Sequence, residues 1–430
     1  MYTVLGTTQR MGKKIIYYVV NLLDMLSVSI LFIFYYPRLP KRVWIVSERL
    51  NQAQDNGIAF FKYLNAYHPE IASFYLLEEG CDKIEGVSLY GKVLIKNSLQ
   101  HKLYFLKSEV VAFTEKNMIE PWGSRVFYKY FARFYPKKLK VFLQHGILDK
   151  DVRQVYGKDV SDIDLFVTSN AREKAFVQKV FGYDTSEIAN VGIARFDDLG
   201  QSDMAKEKLI LYMPTWRRDL VDVEVISKRD RVSLKKHDKH PNTKYKEGGK
   251  KAKEEFEQSQ YYKCIHQFLS NAKLSQILQE TGYKIVFVTH YMMNELIDNN
   301  FLPSNHAITY YSSEQVNIQD LVKRASIFIT DYSSIHFDAA FAGNQVLYYQ
   351  FDQNDFYTHH AKPSYFDYER DGFGEVVTEV EPLIEAIDRL IKNKNQRTLY
   401  TKRIEAFFEF KDKKNRQRLY ALIQEKLDER

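Results

Sequence analysis

Hydrophobic positions along this chain fall into short continuous runs that alternate with longer amphipathic stretches. Val43-Trp44-Ile45-Val46-Ser47, Ala72 to Leu77, Val110 to Thr114, Val141 to Leu143 and Leu165 to Thr168 are apolar runs of strand length. Helical patterns lie between several of them, the first over Ile58 to His68. The pattern closes at Ile188 to Asp198, IANVGIARFDD, and restarts at Leu209 to Met213. A helix is predicted over Tyr261 to Thr281, then strands at Ile285 to Val288 and Ala307 to Tyr310. A helix around Ile318 to Arg324 follows, then strands at Ile327 to Ile329 and Val346 to Tyr349. From about Glu381 the chain reads as charged helix. Strands that are apolar throughout and alternate with helices predict parallel sheets covered on both faces. The fold class is therefore α/β.

Two stretches depart from this rhythm. Ile15 to Tyr36 is an apolar run whose helix would be ~33 Å long, enough to cross a bilayer core. Asn21 and Asp24 interrupt it, and basic residues flank both ends, so the charges give no orientation. Tyrosines near both ends suit an interface, and a membrane-surface helix is favoured over a spanning helix or a buried one. Lys228 to Lys253 is Lys-rich with too little apolar content to pack. It reads as a basic insert, either a solvated excursion or a contact for a polyanion or lipid. The divisions predicted are residues 1–41, a membrane-associating segment; 42–204 and 205–390, two Rossmann-like domains, the second holding the insert 228–253; and 391–430, terminal helices.

Composition adds bounds. A net charge of +7 over 430 residues favours anionic partners without choosing among phosphates, lipid and nucleic acid. The basic residues lack the aromatic interleaving of a nucleic-acid surface, so no nucleic acid is expected. Two cysteines, far apart, fit a reduced compartment. No Gly-x-x-x-x-Gly-Lys-Ser/Thr or Gly-x-Gly-x-x-Gly motif occurs, which argues against an ordinary nucleoside triphosphatase or dinucleotide oxidoreductase. No residue cluster has metal-ligand spacing, although Asp352 and Asp355 invite that misreading.

Candidate chemistry gathers at strand ends, where open α/β sheets bind ligands. The stretch Ser326 to Phe341, SIFITDYSSIHFDAAF, reads as a strand, a polar turn and a helix start offering hydroxyl and N–H donors to an anion. Alone, Asp331 or a serine there would be read as a helix cap. His145 and His290 each end a strand, one per domain. Arg217 follows Pro214-Thr215-Trp216 and has the forked donors that suit a phosphate, though alone it would be read as a surface ion pair.

Leu321 to Ser334, Gln144-His145-Gly146, Met213 to Arg217, Val288-Thr289-His290 and Tyr365 to Glu369 together resemble the CDP-glycerol:poly(glycerophosphate) glycerophosphotransferases, over roughly Trp44 to Ile391. The resemblance implies a GT-B architecture, two Rossmann-like domains facing across a cleft. It implies transfer of glycerol phosphate or ribitol phosphate from CDP-glycerol or CDP-ribitol to a hydroxyl of a membrane-lipid-linked acceptor, with release of CMP, at the cytoplasmic membrane face. Such enzymes make teichoic acids or capsular polymers. Carried over by motif, His145 is the candidate general base and His290 lies near the donor diphosphate. Arg217, Ser333, Ser334 and Asp331 face the donor phosphates. No cofactor or metal is expected. The sequence departs from the family where Tyr291 replaces the usual proline after the second histidine, and at the insert 228–253. A sugar transferase using a nucleotide sugar, or a non-catalytic polyanion- or membrane-surface-binding protein, are the alternatives. Oligomeric state is not legible.

Overall fold

The computed structural model describes residues 2–116, 118–122, 127, 131–199, 205–220, 253–294, 296–297, 301–303, 305–392 and 398–430, with side chains from residue 17 onward. The basic insert 228–253 lies, but for Lys253, outside the described residues.

The chain forms two compact units. Unit 1 comprises Met1–His145, Lys158–Asp198 and Asp412–Arg430, and unit 2 comprises Gly146–Gly157 and Leu199–Lys411. The expected domains were drawn as continuous stretches. The structure instead assigns residues 146–157 to unit 2 and the last helix, Asn415–Asp428, to unit 1.

Unit 1 holds seven strands: β1 Val43–Ser47, β2 Ala72–Leu77, β3 Lys92–Ile95, β4 Val110–Phe113, β5 Leu139–Phe142, β6 Leu165–Thr168 and β7 Ile188–Asn190. Their order is β3-β2-β1-β4-β5-β6-β7, all parallel. Trp44 lies opposite Ser73 on one side and Val110 on the other. β1, β4, β5 and β6 are buried at every residue, which is why their sequences do not alternate. Leu419 and Ile423 of the last helix enter the same core as Trp44 and Phe60. That helix is pinned at its start. Asn415 donates to the Ile193 carbonyl, and Asp197 accepts from the backbone N–H groups of Asn415 and Arg416. Gly192, at φ +86°, lies so close that a Cβ would fall 2.3 Å from Asn415 Oδ1, so only glycine fits.

Unit 2 holds β8 Leu209–Tyr212, β9 Lys284–Thr289, β10 Ile308–Ser312, β11 Ile327–Thr330, β12 Gln345–Tyr349 and β13 Gly374–Val377. Their order is β10-β9-β8-β11-β12-β13, again all parallel. Each sheet thus runs third, second, first, fourth, fifth, sixth from its own first strand, and the first sheet adds a seventh at that edge. This is the doubly wound nucleotide-binding order, and it places a switch point beside the first and fourth strands of each unit. The segment 146–157 joins unit 2 by pairing Lys150–Asp151 with Lys362–Pro363, and Tyr368 donates to Asp149. The helix expected over Tyr261 to Thr281 is two, Gln260–Leu269 and Ala272–Thr281, because Asn271 caps the second. Its side chain accepts from the N–H groups of Lys273 and Leu274.

The N-terminal helix, Tyr2–Tyr35, is docked along unit 1 by one stripe. Met25, Val28 and Phe32 are buried, at the three- and four-residue spacing of one face. Asp24, the residue that interrupts the apolar run, accepts from Lys102 (2.9 Å) and Trp122 Nε1 (2.6 Å), and Tyr135 donates to Ser29. The opposite face is apolar and exposed, with Leu23, Ile30, Ile33 and Phe34 each more than half open.

Candidate active site

In unit 1, β5 runs out through Leu143-Gln144-His145. Gln144 adopts φ +61°, an uncommon conformation for a residue with a side chain, and is held there from both sides. Its amide donates to Glu173 (3.0 Å) and to the Val167 carbonyl, while Asn56 donates to the Gln144 carbonyl (2.9 Å). His145 then points Nδ1 at Asp55 Oδ2 in a short contact, with its side chain 58% exposed. Asp55 is the N-cap of the helix Asn56–Tyr67. Its other oxygen accepts from the Asn56 N–H (2.7 Å) and from Arg195 Nη1 (2.6 Å), and the same Arg195 nitrogen reaches the His145 carbonyl (3.0 Å). Glu48, behind them, accepts three backbone N–H groups, those of Gln54, Asp55 and Ile58.

The electrostatics follow from this packing. Burial alone would raise the Asp55 carboxyl, but His145 and Arg195 outweigh it and hold it below the usual carboxylate range. Asp55 in turn raises the His145 imidazole. Burial, reinforced by Asp55, pushes Glu48 up to about 7.

In unit 2, the loops after β8, β9 and β11 carry the other expected residues. Arg217 does not stand open to a phosphate. It is 3% exposed, and its guanidinium is engaged by Asp331 (2.7 Å), by both oxygens of Asp352 (2.7 and 2.9 Å) and by the Thr215 carbonyl (2.6 Å). Asp331 also accepts the N–H groups of Thr215 and Tyr332. In this structure Arg217 and Asp331 form a buried ion cluster with Asp352 that ties the loop after β8 to those after β11 and β12. Burial opposes the charge on Arg217, but the two carboxylates outweigh it and raise its pKa. Ser333 and Ser334 follow in the turn, half-buried, and their hydroxyls bond to no protein group among the described residues. His290 ends β9, accepts the Met292 N–H on Nδ1 (3.3 Å) and stacks on Trp216 at 5.9 Å. Unit 2 therefore brings Arg217 and Asp331 together directly, and His290 to them through Trp216.

Asp55, Arg195, Glu48 and Asp352 were not among the expected site residues. A signal existed for the first: Asp55-Asn56-Gly57 sits in the loop after the first strand, where the doubly wound rule places ligands. Asp352 drew notice only as a false metal ligand.

Two parallel doubly wound sheets with polar side chains at their strand ends define two Rossmann-like units of the GT-B fold class. The family model for CDP-glycerol:poly(glycerophosphate) glycerophosphotransferase matches residues 30–425, and the chain belongs to that family. It is 28% identical over 391 residues to the minor teichoic acid biosynthesis protein GgaB of Bacillus subtilis strain 168, covering 90% of this chain and 40% of that protein. It is 22% identical over 389 residues to the teichoic acid poly(glycerol phosphate) polymerase of the same organism, covering 82% of this chain and 45% of that protein. The chain thus spans less than half the length of these two relatives. A structure of the wall teichoic acid polymerase TagF with CDPG matches with a TM-score of 0.62 at 15% identity, over 95% of this chain and 98% of that one. At that identity the likeness is one of fold.

Proposed function

We propose that this protein transfers glycerol phosphate or ribitol phosphate from a CDP-alditol to a hydroxyl of a membrane-lipid-linked acceptor, releasing CMP, in the synthesis of teichoic acid or a capsular polymer. The observation that carries this reading is the family match across residues 30–425, which takes in most of both units and every residue assigned a part in the transfer. The acceptor oxygen attacks the phosphorus bearing the alditol, its proton passes to His145, and the bond to the CMP oxygen breaks. General-base assistance of this kind is worth about 100- to 10,000-fold. His290 and the hydroxyls of Ser333 and Ser334 meet the charge on the transferred phosphoryl group, since phosphoryl transfer is largely positioning and electrostatics. Arg217 and Asp331 shape the loops that carry these groups.

The test is a donor panel with a lipid-linked acceptor. CDP-glycerol or CDP-ribitol should yield CMP, whereas a nucleotide-sugar enzyme would release a nucleoside diphosphate from a sugar donor, and a binding protein would release nothing. The double variant Ser333→Ala/Ser334→Ala should lower kcat/KM for the active donor by about 10- to 100-fold, at ~1 kcal/mol per lost hydrogen bond, with melting temperature unchanged. Full activity in that variant would remove the serines from the site.

The N-terminal helix supports docking on the cytoplasmic membrane face as a monotopic element. Its polar and buried stripe is committed to unit 1, and the exposed stripe offers Leu23, Ile30, Ile33 and Phe34 to lipid. Ile30→Glu/Ile33→Glu should weaken binding to anionic vesicles by about 100-fold, at ~1.5 kcal/mol per apolar side chain, while turnover of a soluble acceptor analogue is kept. Undiminished sedimentation with vesicles would show that this face is not the anchor.

A further inference from the structure

We infer that Asp55, clamped by Arg195, is the positioning residue for His145: it holds the ring with Nδ1–H inward and leaves Nε2 to take the acceptor's proton. This rests on the reaction proposed above. The argument begins with chemistry. An ionised carboxylate only accepts hydrogen bonds, so the imidazole nitrogen facing Asp55 carries the proton, and the lone pair of the neutral ring lies on Nε2. A helix cap requires only one carboxylate oxygen, and Oδ1 fills that role with the Asn56 N–H. Oδ2 is directed at a ring 90 residues away in the chain.

The surroundings keep Asp55 in the form this requires. Arg195 bonds the carboxylate and the His145 carbonyl with one nitrogen, and its own N–H donates to Asn56 Oδ1 (3.1 Å). The histidine, its partner and the cap are therefore fixed to one another. The charged groups facing His145 are Asp55, Arg195, and the Arg49–Glu115 pair (3.1 Å), with Glu48 behind Asp55. Of these, Asp55 has the largest effect on the ring and raises it. In the transfer step the acceptor O–H proton moves to Nε2, the Nδ1–H stays on the ring, and Asp55 remains ionised opposite the imidazolium. The exposed ring then returns its proton to water.

The sign of the pH effect is fixed. His145 acts when neutral, so kcat/KM rises with pH through the imidazole pKa, and Asp55 places that rise above the ordinary histidine range. Asp55→Asn, which keeps a good cap residue, should lower kcat by about 100-fold or more, leave the donor KM within about threefold, and move the acid limb to lower pH. Asp55→Glu should recover part of kcat. Nitrogen chemical shifts of His145 in the full-length protein give a readout independent of activity. Wild type at neutral pH should show protonated Nδ1, and Asp55→Asn should lose that preference. An unshifted acid limb with full kcat in Asp55→Asn, or a wild-type ring protonated on Nε2 alone, would overturn the inference. If no CDP-alditol yields CMP with the wild-type protein, the proposed reaction fails, and the nitrogen shifts still decide whether Asp55 sets the tautomer.

Discussion

Arg217→Met is expected to destabilise unit 2 by about 3–5 kcal/mol, the usual cost of removing one partner from a buried ion cluster. Asp331 and Asp352 would be left facing each other in a site where both are almost inaccessible, with side chains 1% and 6% exposed. Three loops lose a shared tie at once, because the guanidinium bonds to the turns after β8, β11 and β12 together. Arg217→Lys should recover only part of the loss. An ammonium supplies the charge but not the planar fork that reaches both carboxylates and the Thr215 carbonyl. Urea unfolding of the three proteins measures this directly. A loss below about 1 kcal/mol in Arg217→Met, with weakened donor binding as the sole defect, would return Arg217 to the role of phosphate ligand.

His145→Asn is expected to do the opposite: to reduce kcat by about 100- to 10,000-fold while leaving stability nearly unchanged. The ring is 58% exposed, so little packing is lost. Asp55 keeps Arg195 and the Asn56 N–H, so no buried charge is stranded. Donor KM should change by less than threefold or so, since the groups assigned to the donor belong to unit 2. CMP release under saturating donor, set beside a melting curve, separates loss of chemistry from loss of fold. Retention of more than a tenth of wild-type kcat would exclude His145 as the base.

The contrast between these two residues shows what sequence reading reaches. His145 and Arg217 look alike in the chain, each a basic residue just past an apolar strand. Their difference lies in partners 90 and 135 residues distant, Asp55 and Asp352, and spacing carries no trace of either. The strands were legible because burial on both sheet faces writes itself as unbroken apolar runs, as in β1 and β11. β3, an edge strand opening on an exposed lysine, and β13, beginning Gly-Glu, carry too little of that signal and were not anticipated. The interruption of the first helix by Asp24 was visible, but only Lys102 and Trp122 explain it, and they come from other elements of unit 1.

The chain passes between the two units four times, at residues 145/146, 157/158, 198/199 and 411/412. Translation therefore delivers Leu419 and Ile423, which complete the core around Trp44, only after all of unit 2 has been made. During synthesis the first sheet waits on the ribosome with part of its apolar face uncovered, so a growing chain is a natural client for chaperones that bind exposed apolar surface. For the same reason neither unit can be expressed by cutting the gene at a single point. A circular permutant that places Asp412–Arg430 ahead of β1 would let the first sheet close before the second begins.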